Sequence, residues 1–147
     1  MVKKEVMEAC KQWVQARMSE VKQEIAKLEE AAANETKSSM GDKYETGREM
    51  IMQEKVKLSE RLQLLGNQQI ALNALDETLH TQIKAGSLVV TSQAAFFIAS
   101  AIGAVTVKGE QVFVISQIAP IAKEMMGKKV GDHILFNGKQ QEVTNVC

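Results

Sequence analysis

The residues of this chain that could do chemistry by type and spacing are few. Cys10 and Cys147 are the only cysteines, and they lack the spacing of a metal site or a disulfide framework, so reduced thiols are expected. His80 and His133 lie 53 residues apart without clustered carboxylates or cysteines, which favours ordinary histidines over metal ligands. Thiol acyl transfer of the ketosynthase kind would need an activated cysteine, nearby histidines and a substrate tunnel, in a fold that 147 residues cannot build. The isolated chain is therefore not expected to be an enzyme.

A pair of carboxylates near the middle of the chain is the other chemical feature. Asp42 and Glu45 are three residues apart, so on a helix both side chains lie on one face. Asp at the N-cap with Glu at N3 is also a capping box, which needs no ligand to explain it. Basic side chains follow, including Lys43 and Arg48, and such charges on a helix are more typical of a solvated face than of a phosphate site.

Composition and charge narrow the class of protein. The sequence is 45% apolar and 24% charged, which is typical of globular proteins, and its 18 basic residues equal its 18 acidic ones. No global field therefore recruits DNA or an anionic membrane. The N-terminus has no apolar signal region, and no stretch approaches the roughly 18 apolar residues of a membrane span. A cytoplasmic protein with no membrane partner is expected, and no cofactor motif is present.

The elements that must position these residues change type near Gly86. Residues 1–85 are rich in Glu, Lys, Gln, Ala, Leu and Met and contain no proline, which favours helices. From Ser87 onward, short Val, Ile and Phe runs alternate with glycines, which is typical of strands and turns. We therefore predict a helical domain over 1–83 and a β-rich domain over 84–147.

The helical half contains two heptad series. Apolar residues recur every seven positions in each. The first series is Met7, Val14, Val21 and Leu28, and the second is Tyr44, Ile51, Leu58, Leu65, Leu72 and Leu79. In an antiparallel hairpin the numbers of paired residues have a constant sum. Met7 with Leu72, Val14 with Leu65, Val21 with Leu58 and Leu28 with Ile51 all give 79.

This sum predicts an antiparallel coiled-coil hairpin. Its turn centres between Ser39 and Met40, and the tip lies near residues 37–42, where Ser and Gly leave helical geometry easily. Such a chain is expected to be a monomer. The alternative is a parallel homodimer through the same seam, in which the shared sum would be accidental.

The C-terminal half predicts an antiparallel β domain with one short helix. Asn137-Gly138 is a strong type I′ hairpin signal between the last two strands. Pro120 to Met126 predicts a short helix with proline in its first turn, ended by Gly127. Phe96 and Phe97 are expected to pack within the sheet, and Trp13 at the base of the hairpin. The candidate strands are Ser87–Thr91, Ala95–Ala101, Ala104–Val107, Gln111–Ser116, His133–Phe136 and Gln140–Val146.

The segment from Ile115 to Asp132 resembles the Gre-type transcription factors of bacteria. In that family a strand, a Ser-Pro-Ile turn, a short helix and the motif Gly-Lys-x-Val-Gly-Asp follow one another, as Ala119-Pro120-Ile121 and Gly127 to Asp132 do here. The remaining residues, His133 to Val146, fit the family's closing hairpin. The resemblance implies an α+β fold, with an N-terminal coiled-coil hairpin and a C-terminal FKBP-like β domain. Ala119 departs from the family, which usually has Ser before the proline.

The resemblance also implies a partner and a mechanism. Gre-type factors bind bacterial RNA polymerase, and the turn and helix around Pro120, Ile121 and Lys123 would contact it. The coiled coil enters the secondary channel, where tip carboxylates help hold a second Mg²⁺ of the polymerase active site. That ion supports hydrolysis of backtracked RNA, so the factor binds no cofactor alone and is no nuclease by itself.

The tip is where this sequence departs most from the family. Lys43 to Glu49 resembles the family's Glu-Tyr-x-x-Ala-Arg-Glu, and this alignment places Lys37 and Met40 where the family has its functional Asp and Glu. Asp42 and Glu45 are the nearest carboxylates. By resemblance they are candidate catalytic residues acting in trans and shared Mg²⁺ ligands, and Lys43 and Arg48 are candidate RNA-facing residues.

Three functions remain open from the sequence. The chain could stimulate cleavage of backtracked RNA, or it could regulate transcription from the channel without cleavage. A different class, a chaperone or isomerase-like binding module, would require an exposed apolar pocket lined by aromatic residues in the C-terminal half.

Overall fold

A computed structural model describes residues 1–37 and 42–147, and the side chains of residues 1–34 and 46–147. The helices are α1 (Lys3–Lys37), α2 (Asp42–Asn73) and α3 (Pro120–Met125). The strands are β1 (Leu88–Thr91), β2 (Ala95–Ile98), β3 (Gly103–Val107), β4 (Glu110–Ile115), β5 (His133–Phe136) and β6 (Lys139–Val146). The predicted α+β class, with two long N-terminal helices and a β-rich C-terminal half with one short helix, is confirmed.

The chain packs as two compact units. One consists of Val14–Gln69, and the other combines Met1–Trp13 with Ile70–Cys147. The predicted domains 1–83 and 84–147 follow composition and remain a prediction, whereas these units follow packing. In the second unit the first helical turns and the connector after α2 lie with the sheet, so its core includes residues from both ends of the sequence.

The unit Val14–Gln69 is held together by an aliphatic seam. Val14, Val21, Leu58 and Leu65 are 0%, 2%, 6% and 5% exposed, although α1 and α2 carry mostly polar side chains. These four residues form two of the pairs whose numbers sum to 79. Lys55 Nζ of α2 also lies 3.5 Å from Glu29 Oε1 of α1. The seam is thus buried within a single chain, which confirms the helical hairpin. The predicted turn at Ser39 and Met40 lies outside the described residues.

The sheet is mixed, with the strand order β3-β4-β2-β1-β6-β5. Four of the neighbouring pairs are antiparallel as predicted, but β2 and β4 are parallel, with Phe96 beside Phe113 and Phe97 beside Val114. The difference arises because β3 and β4 form a hairpin and β4, not β3, lies next to β2. All four residues of β2 are buried, as is usual for a strand with a parallel neighbour.

One core cluster of the β-rich unit packs against α3. It consists of Ile83, Val89, Phe96, Ile98, Met125, Ile134 and Val143. Met125 contributes to this cluster from α3, and Ile83 contributes from the connector. Phe96 and Phe97 are both buried, as predicted, and Trp13 is half-buried. The core therefore fixes α3 against the sheet.

The turn between β5 and β6 has the predicted geometry. Asn137 and Gly138 have φ values of 52° and 74°, and a type I′ turn requires positive φ at both positions. The strands on either side pair antiparallel, with His133 opposite Glu142 and Phe136 opposite Lys139.

In the described residues, no helix is long and apolar enough to cross a membrane.

We predict that Val14→Cys combined with Leu65→Cys forms an intrachain disulfide on oxidation, because the buried seam brings these positions together. Cys147→Ser removes the half-buried native thiol from the experiment. The matched control is Val14→Cys with Leu64→Cys, since Leu64 is the next residue but is 59% exposed. Non-reducing electrophoresis distinguishes the products. Exclusively interchain crosslinks at Val14 and Leu65 would support the parallel homodimer instead.

Candidate protein interface

The turn between β4 and α3 is fixed by Ser116. Its Oγ accepts a hydrogen bond from the Ile118 N–H at 3.3 Å, and its carbonyl oxygen accepts one from the Ala119 N–H at 3.0 Å. A serine side chain that bonds its own backbone two residues on is a common way to close a turn. The Ile118 side chain is left 72% exposed.

Helix α3 begins at Pro120 without a side-chain cap. Ala119 has the extended conformation expected before proline, with φ −60° and ψ 143°, and it makes no side-chain cap hydrogen bond. Its carbonyl oxygen still accepts the Lys123 N–H at 3.0 Å. A Ser at this position could supply a side-chain cap, worth about 0.5–2 kcal/mol, which Ala cannot. The helix forms nevertheless, because it is anchored from its other side.

Two buried residues provide that anchor. Ala122 and Met125 are fully buried, and Ile121 is half-buried against the core cluster. Pro120 and Lys123 are exposed. The structure therefore brings the three predicted polymerase-binding residues together on α3, but it gives them different environments. Ile121 belongs largely to the core, whereas Pro120 and Lys123 belong to the surface.

The end of α3 is tied to the connector that precedes β1. Gly127 has φ +82°, a conformation that favours glycine at a helix end. Its N–H donates to the Ile83 carbonyl at 2.8 Å, and its carbonyl accepts from Gln82 Nε2 at 2.7 Å. The Ile83 N–H donates to the Lys128 carbonyl at 2.8 Å. The short helix is thus held at both ends by hydrogen bonds and from below by the core.

We define the α3 patch as Ile118, Pro120 and Lys123. It offers two apolar side chains and one cation within six residues, on a rigid support. Ile118 was missed by the sequence reasoning, which took its residues from the proline motif. The available signal was an isoleucine between Gln117 and Ala119 in a turn, since a turn has little opportunity to bury a large side chain.

For the tip candidates Asp42, Lys43 and Glu45, the structure describes only the backbone. α2 begins at Asp42, so Asp42, Lys43 and Glu45 fall in its first turn, where carboxylates are favoured by the helix dipole. Their side chains lie outside the described residues, as do those of Lys37 and Met40. Arg48 is described, and it is exposed on α2. Among the described residues, no group of three His, Cys, Asp or Glu side chains could hold a metal ion.

A buried lysine in the first turn of α1 contacts the connector between α2 and β1. Lys3 is 4% exposed, and its Nζ donates to the Thr78 carbonyl at 2.6 Å. Asp76 Oδ1 accepts the Thr78 N–H at 3.0 Å, and hydrogen bonds from Thr78 lower the pKa of Asp76. Burial lowers the pKa of Lys3. The neighbouring Cys147 and Asp76 oppose this effect, and Lys84 adds to it.

His80 shares this charged environment. Its Nδ1 lies 2.6 Å from Ser87 Oγ, which also accepts the Lys84 N–H at 3.0 Å. Burial lowers the pKa of His80 below its ordinary value of 6.5, the neighbouring Lys3 and Lys84 lower it further, and Asp76 opposes them. The imidazole is therefore held neutral in the folded protein over a wider pH range than in the unfolded chain.

Cys10 does not supply the thiolate that an acyl-transfer enzyme would need. Its side chain is fully buried, and burial raises the pKa of its thiol to about 12. A thiol of this kind stays protonated at neutral pH and reacts slowly.

Comparison with known proteins gives matches to solved structures only. No family model and no curated protein matches the chain. The chain is similar to GreA factor homolog 1 (Gfh1) of Thermus thermophilus in its crystal structure, with 19% identity, 95% of each chain covered and a TM-score of 0.40. A second structure, of the transcription factor Gfh1, gives 20% identity and a TM-score of 0.37, covering 92% of this chain and 90% of that one.

We predict that stability falls as the pH is lowered from about 7 to about 5, and that His80 causes part of this loss. The folded pKa of His80 is lowered, so its contribution is present above the unfolded pKa and is lost as the pH falls through the folded pKa. Thermal unfolding at several pH values measures this, and the fall in Tm should be smaller in His80→Gln.

His133→Gln is the matched control, because His133 is exposed on the edge strand β5. Equal pH dependence in the wild type and in His80→Gln would contradict the assignment to His80.

Proposed function

We propose that the chain binds bacterial RNA polymerase at its secondary channel and acts there as a transcription factor. The observation that carries the proposal is the segment from Ile115 to Asp132, whose sequence resembles the Gre-type factors. In this fold the segment forms the end of β4, a turn, a proline-initiated helix and a glycine turn, and it presents the α3 patch to solvent. A cytoplasmic location follows from that partner.

The helical hairpin suits entry into a channel. α1 and α2 contain 35 and 32 residues, so at about 1.5 Å rise per residue each helix is roughly 50 Å long. The section of a two-helix hairpin is narrow, and its buried seam needs no third helix to cover it. A slender element of this length could carry its tip to an active site deep inside a partner.

The action proposed for the tip is to lend residues to the active site of polymerase. Asp42 and Glu45 provide carboxylate oxygens, the ligands that a hard cation such as Mg²⁺ prefers. A shared Mg²⁺ would stabilise the charge that develops on RNA phosphate during hydrolysis. Lys43 and Arg48 are proposed to face the RNA. The chain itself would act in trans and would hold no cofactor when alone.

Regulation without cleavage is the second candidate, and a specific observation favours it. The family's acidic positions align with Lys37 and Met40, a cation and a thioether. A tip of this composition would occupy the channel without completing a metal site. The chaperone or isomerase interpretation has less support, because Phe96 and Phe97 are buried in the sheet and only Phe113 and Phe136 of the C-terminal half keep exposed area.

We predict that Ile118→Asp combined with Lys123→Glu weakens binding to core RNA polymerase by about 10-fold or more, since it reverses both the apolar and the charged character of the α3 patch. Ile121 is left unchanged because it packs against the core. Binding can be measured by pull-down and by competition with the wild-type chain.

Leu135→Asp is the matched control, because Leu135 is an exposed apolar residue outside the patch. It should bind polymerase as the wild type does, and all variants should melt at similar temperatures. Undiminished binding after the double change at Ile118 and Lys123 would remove this surface from the proposal.

For the tip, we predict that Asp42→Asn with Glu45→Gln keeps polymerase affinity but lowers the rate of cleavage of backtracked RNA by about 10² to 10³. The amide side chains keep an oxygen that can bind Mg²⁺ and most of the helix-capping interaction, but they lack the negative charge that attracts the ion. Glu54→Gln removes an exposed carboxylate further along α2. With this variant, polymerase should cleave backtracked RNA at the wild-type rate.

A wild-type chain that binds polymerase but never accelerates cleavage across a Mg²⁺ titration would contradict the role of Asp42 and Glu45. Lys37 and Met40 would then explain the result, and the effect on nucleotide addition or initiation becomes the measurable function. A wild-type chain that does not bind polymerase would contradict the proposed function itself.

A further inference from the structure

Helix α2 carries a second heptad stripe that does not pack against α1. Its members are Met52, Val56, Ser59, Gln63 and Gly66, with alternating spacings of four and three. Met52 and Val56 are each 57% exposed, Ser59 and Gln63 are exposed, and nothing lies within 4 Å above Gly66. Three of these positions directly follow residues 51, 58 and 65 of the heptad series that packs against α1, so the stripe is rotated about 100° around the helix.

The centre of this stripe is a depression of about 390 Å³. It is lined by Met52, Lys55, Val56, Ser59, Glu60 and Gln63. A coiled-coil hole is the space between residues i, i+3, i+4 and i+7 of one helix. The six residues contain two such sets, 52/55/56/59 and 56/59/60/63, which share Val56 and Ser59. α2 therefore presents two adjacent holes of the kind that receive side chains from a neighbouring helix.

We propose that this stripe is a self-association surface, on which α2 of a second copy of the chain packs parallel and in register. The heptad assigns Val56 and Gln63 to a positions, and Met52, Ser59 and Gly66 to d positions. In a parallel pair, Val56 of one helix enters the hole 52/55/56/59 of the other helix. Ser59 enters the hole 56/59/60/63. The same two residues that form the holes also fill them.

Within residues 52–66, the residue types at the stripe agree with a parallel pair. A β-branched residue at an a position, as Val56 is, favours two parallel strands. A polar residue at another a position, as Gln63 is, fixes register at some cost in stability. Ser59 and Gly66 lack bulk, so the two helices can approach closely at these layers. The pairing should consequently be specific but weak.

The flanking charges select the orientation. Lys55 lies at a g position and Glu60 at the following e position, one on each side of the stripe. A parallel pair sets Lys55 of one copy beside Glu60 of the other, and two-fold symmetry repeats the contact. An antiparallel pair would bring like flanks together and would repel. Lys55 also lies 3.5 Å from its own Glu29, but both side chains are substantially exposed, so that contact is weak and does not prevent the second.

Crosslinking tests the register directly. In a chain carrying Cys147→Ser, Val56→Cys and Gln63→Cys should each give a symmetric interchain disulfide on mild oxidation, because both positions meet their own equivalents in a parallel pair. Cys10 stays silent, since it is buried and the pKa of its thiol is raised to about 12. Leu64→Cys is the control, because Leu64 is 59% exposed but lies off the stripe.

The outcomes separate the possible occupants. Crosslinking of both variants, well above the Leu64→Cys background, supports the parallel pair, whereas an antiparallel pair would permit self-crosslinking at no more than one of them. Background crosslinking at both sites overturns the proposal, and the stripe would then serve a helix of another protein or none. This test involves no polymerase and stands whether or not the proposed function holds.

Sedimentation equilibrium on the full chain tests the energetics. The wild type should show a reversible monomer–dimer equilibrium, and Glu60→Lys should raise the dissociation constant about 5-fold by removing two symmetric ion pairs. Adding Lys55→Glu to Glu60→Lys should restore association, because the charges are then only exchanged. A wild type that stays monomeric over the whole concentration series, or a double variant that associates no better than Glu60→Lys, contradicts the proposal. Circular dichroism confirms that each variant keeps its helices.

Discussion

The burial of one aliphatic seam between α1 and α2 is the interaction on which the hairpin depends. Helices with this many charged and polar residues gain most of their stability from packing. Each buried Val or Leu of the seam contributes about 1.5–3 kcal/mol relative to an exposed one. Val14, Val21, Leu58 and Leu65 therefore outweigh what exposed ion pairs such as Lys55 with Glu29 can add. The seam also decides which faces of α2 remain available to partners.

The seam could be predicted from the sequence because it obeys a simple rule. Two heptad series with a constant sum of residue numbers have one antiparallel solution, and Val14, Val21, Leu58 and Leu65 follow it. Leu79, the last member of the predicted second series, lies beyond the end of α2 and is exposed. Asn137-Gly138 was equally predictable, since the type I′ turn depends on the conformations of two adjacent residues. Features of this kind are encoded locally, or by periodicity along a single helix.

The strand order was not predictable in the same way. Whether β4 or β3 lies beside β2 depends on which edge of the sheet the β3–β4 hairpin joins, and the strand sequences alternate similarly in either arrangement. The roles within α3 were hidden for a related reason. Ile118 and Ile121 are the same residue type three positions apart, but the turn exposes the first, and the helix directs the second toward the core. For the tip, the sequence predicts Asp42 and Glu45 as candidates, and the roles proposed for them involve a partner that the chain alone does not contain.

Helix α2 carries two stripes that differ in how strongly they bind a partner helix. The inner stripe belongs to the seam with α1, and the outer stripe is the proposed self-association surface. The inner stripe carries Leu58 and Leu65, whose large aliphatic side chains are buried within one chain, where the partner helix is present at high effective concentration. The outer stripe offers only Met52 and Val56 as large apolar residues, and a second copy must lose its translational freedom to reach it. The hairpin should therefore form first and completely, and self-association should add to it reversibly. Any partner that surrounds the hairpin would then compete with the second copy for the same face of α2, so the free concentration of the chain would set how much of it is available for binding.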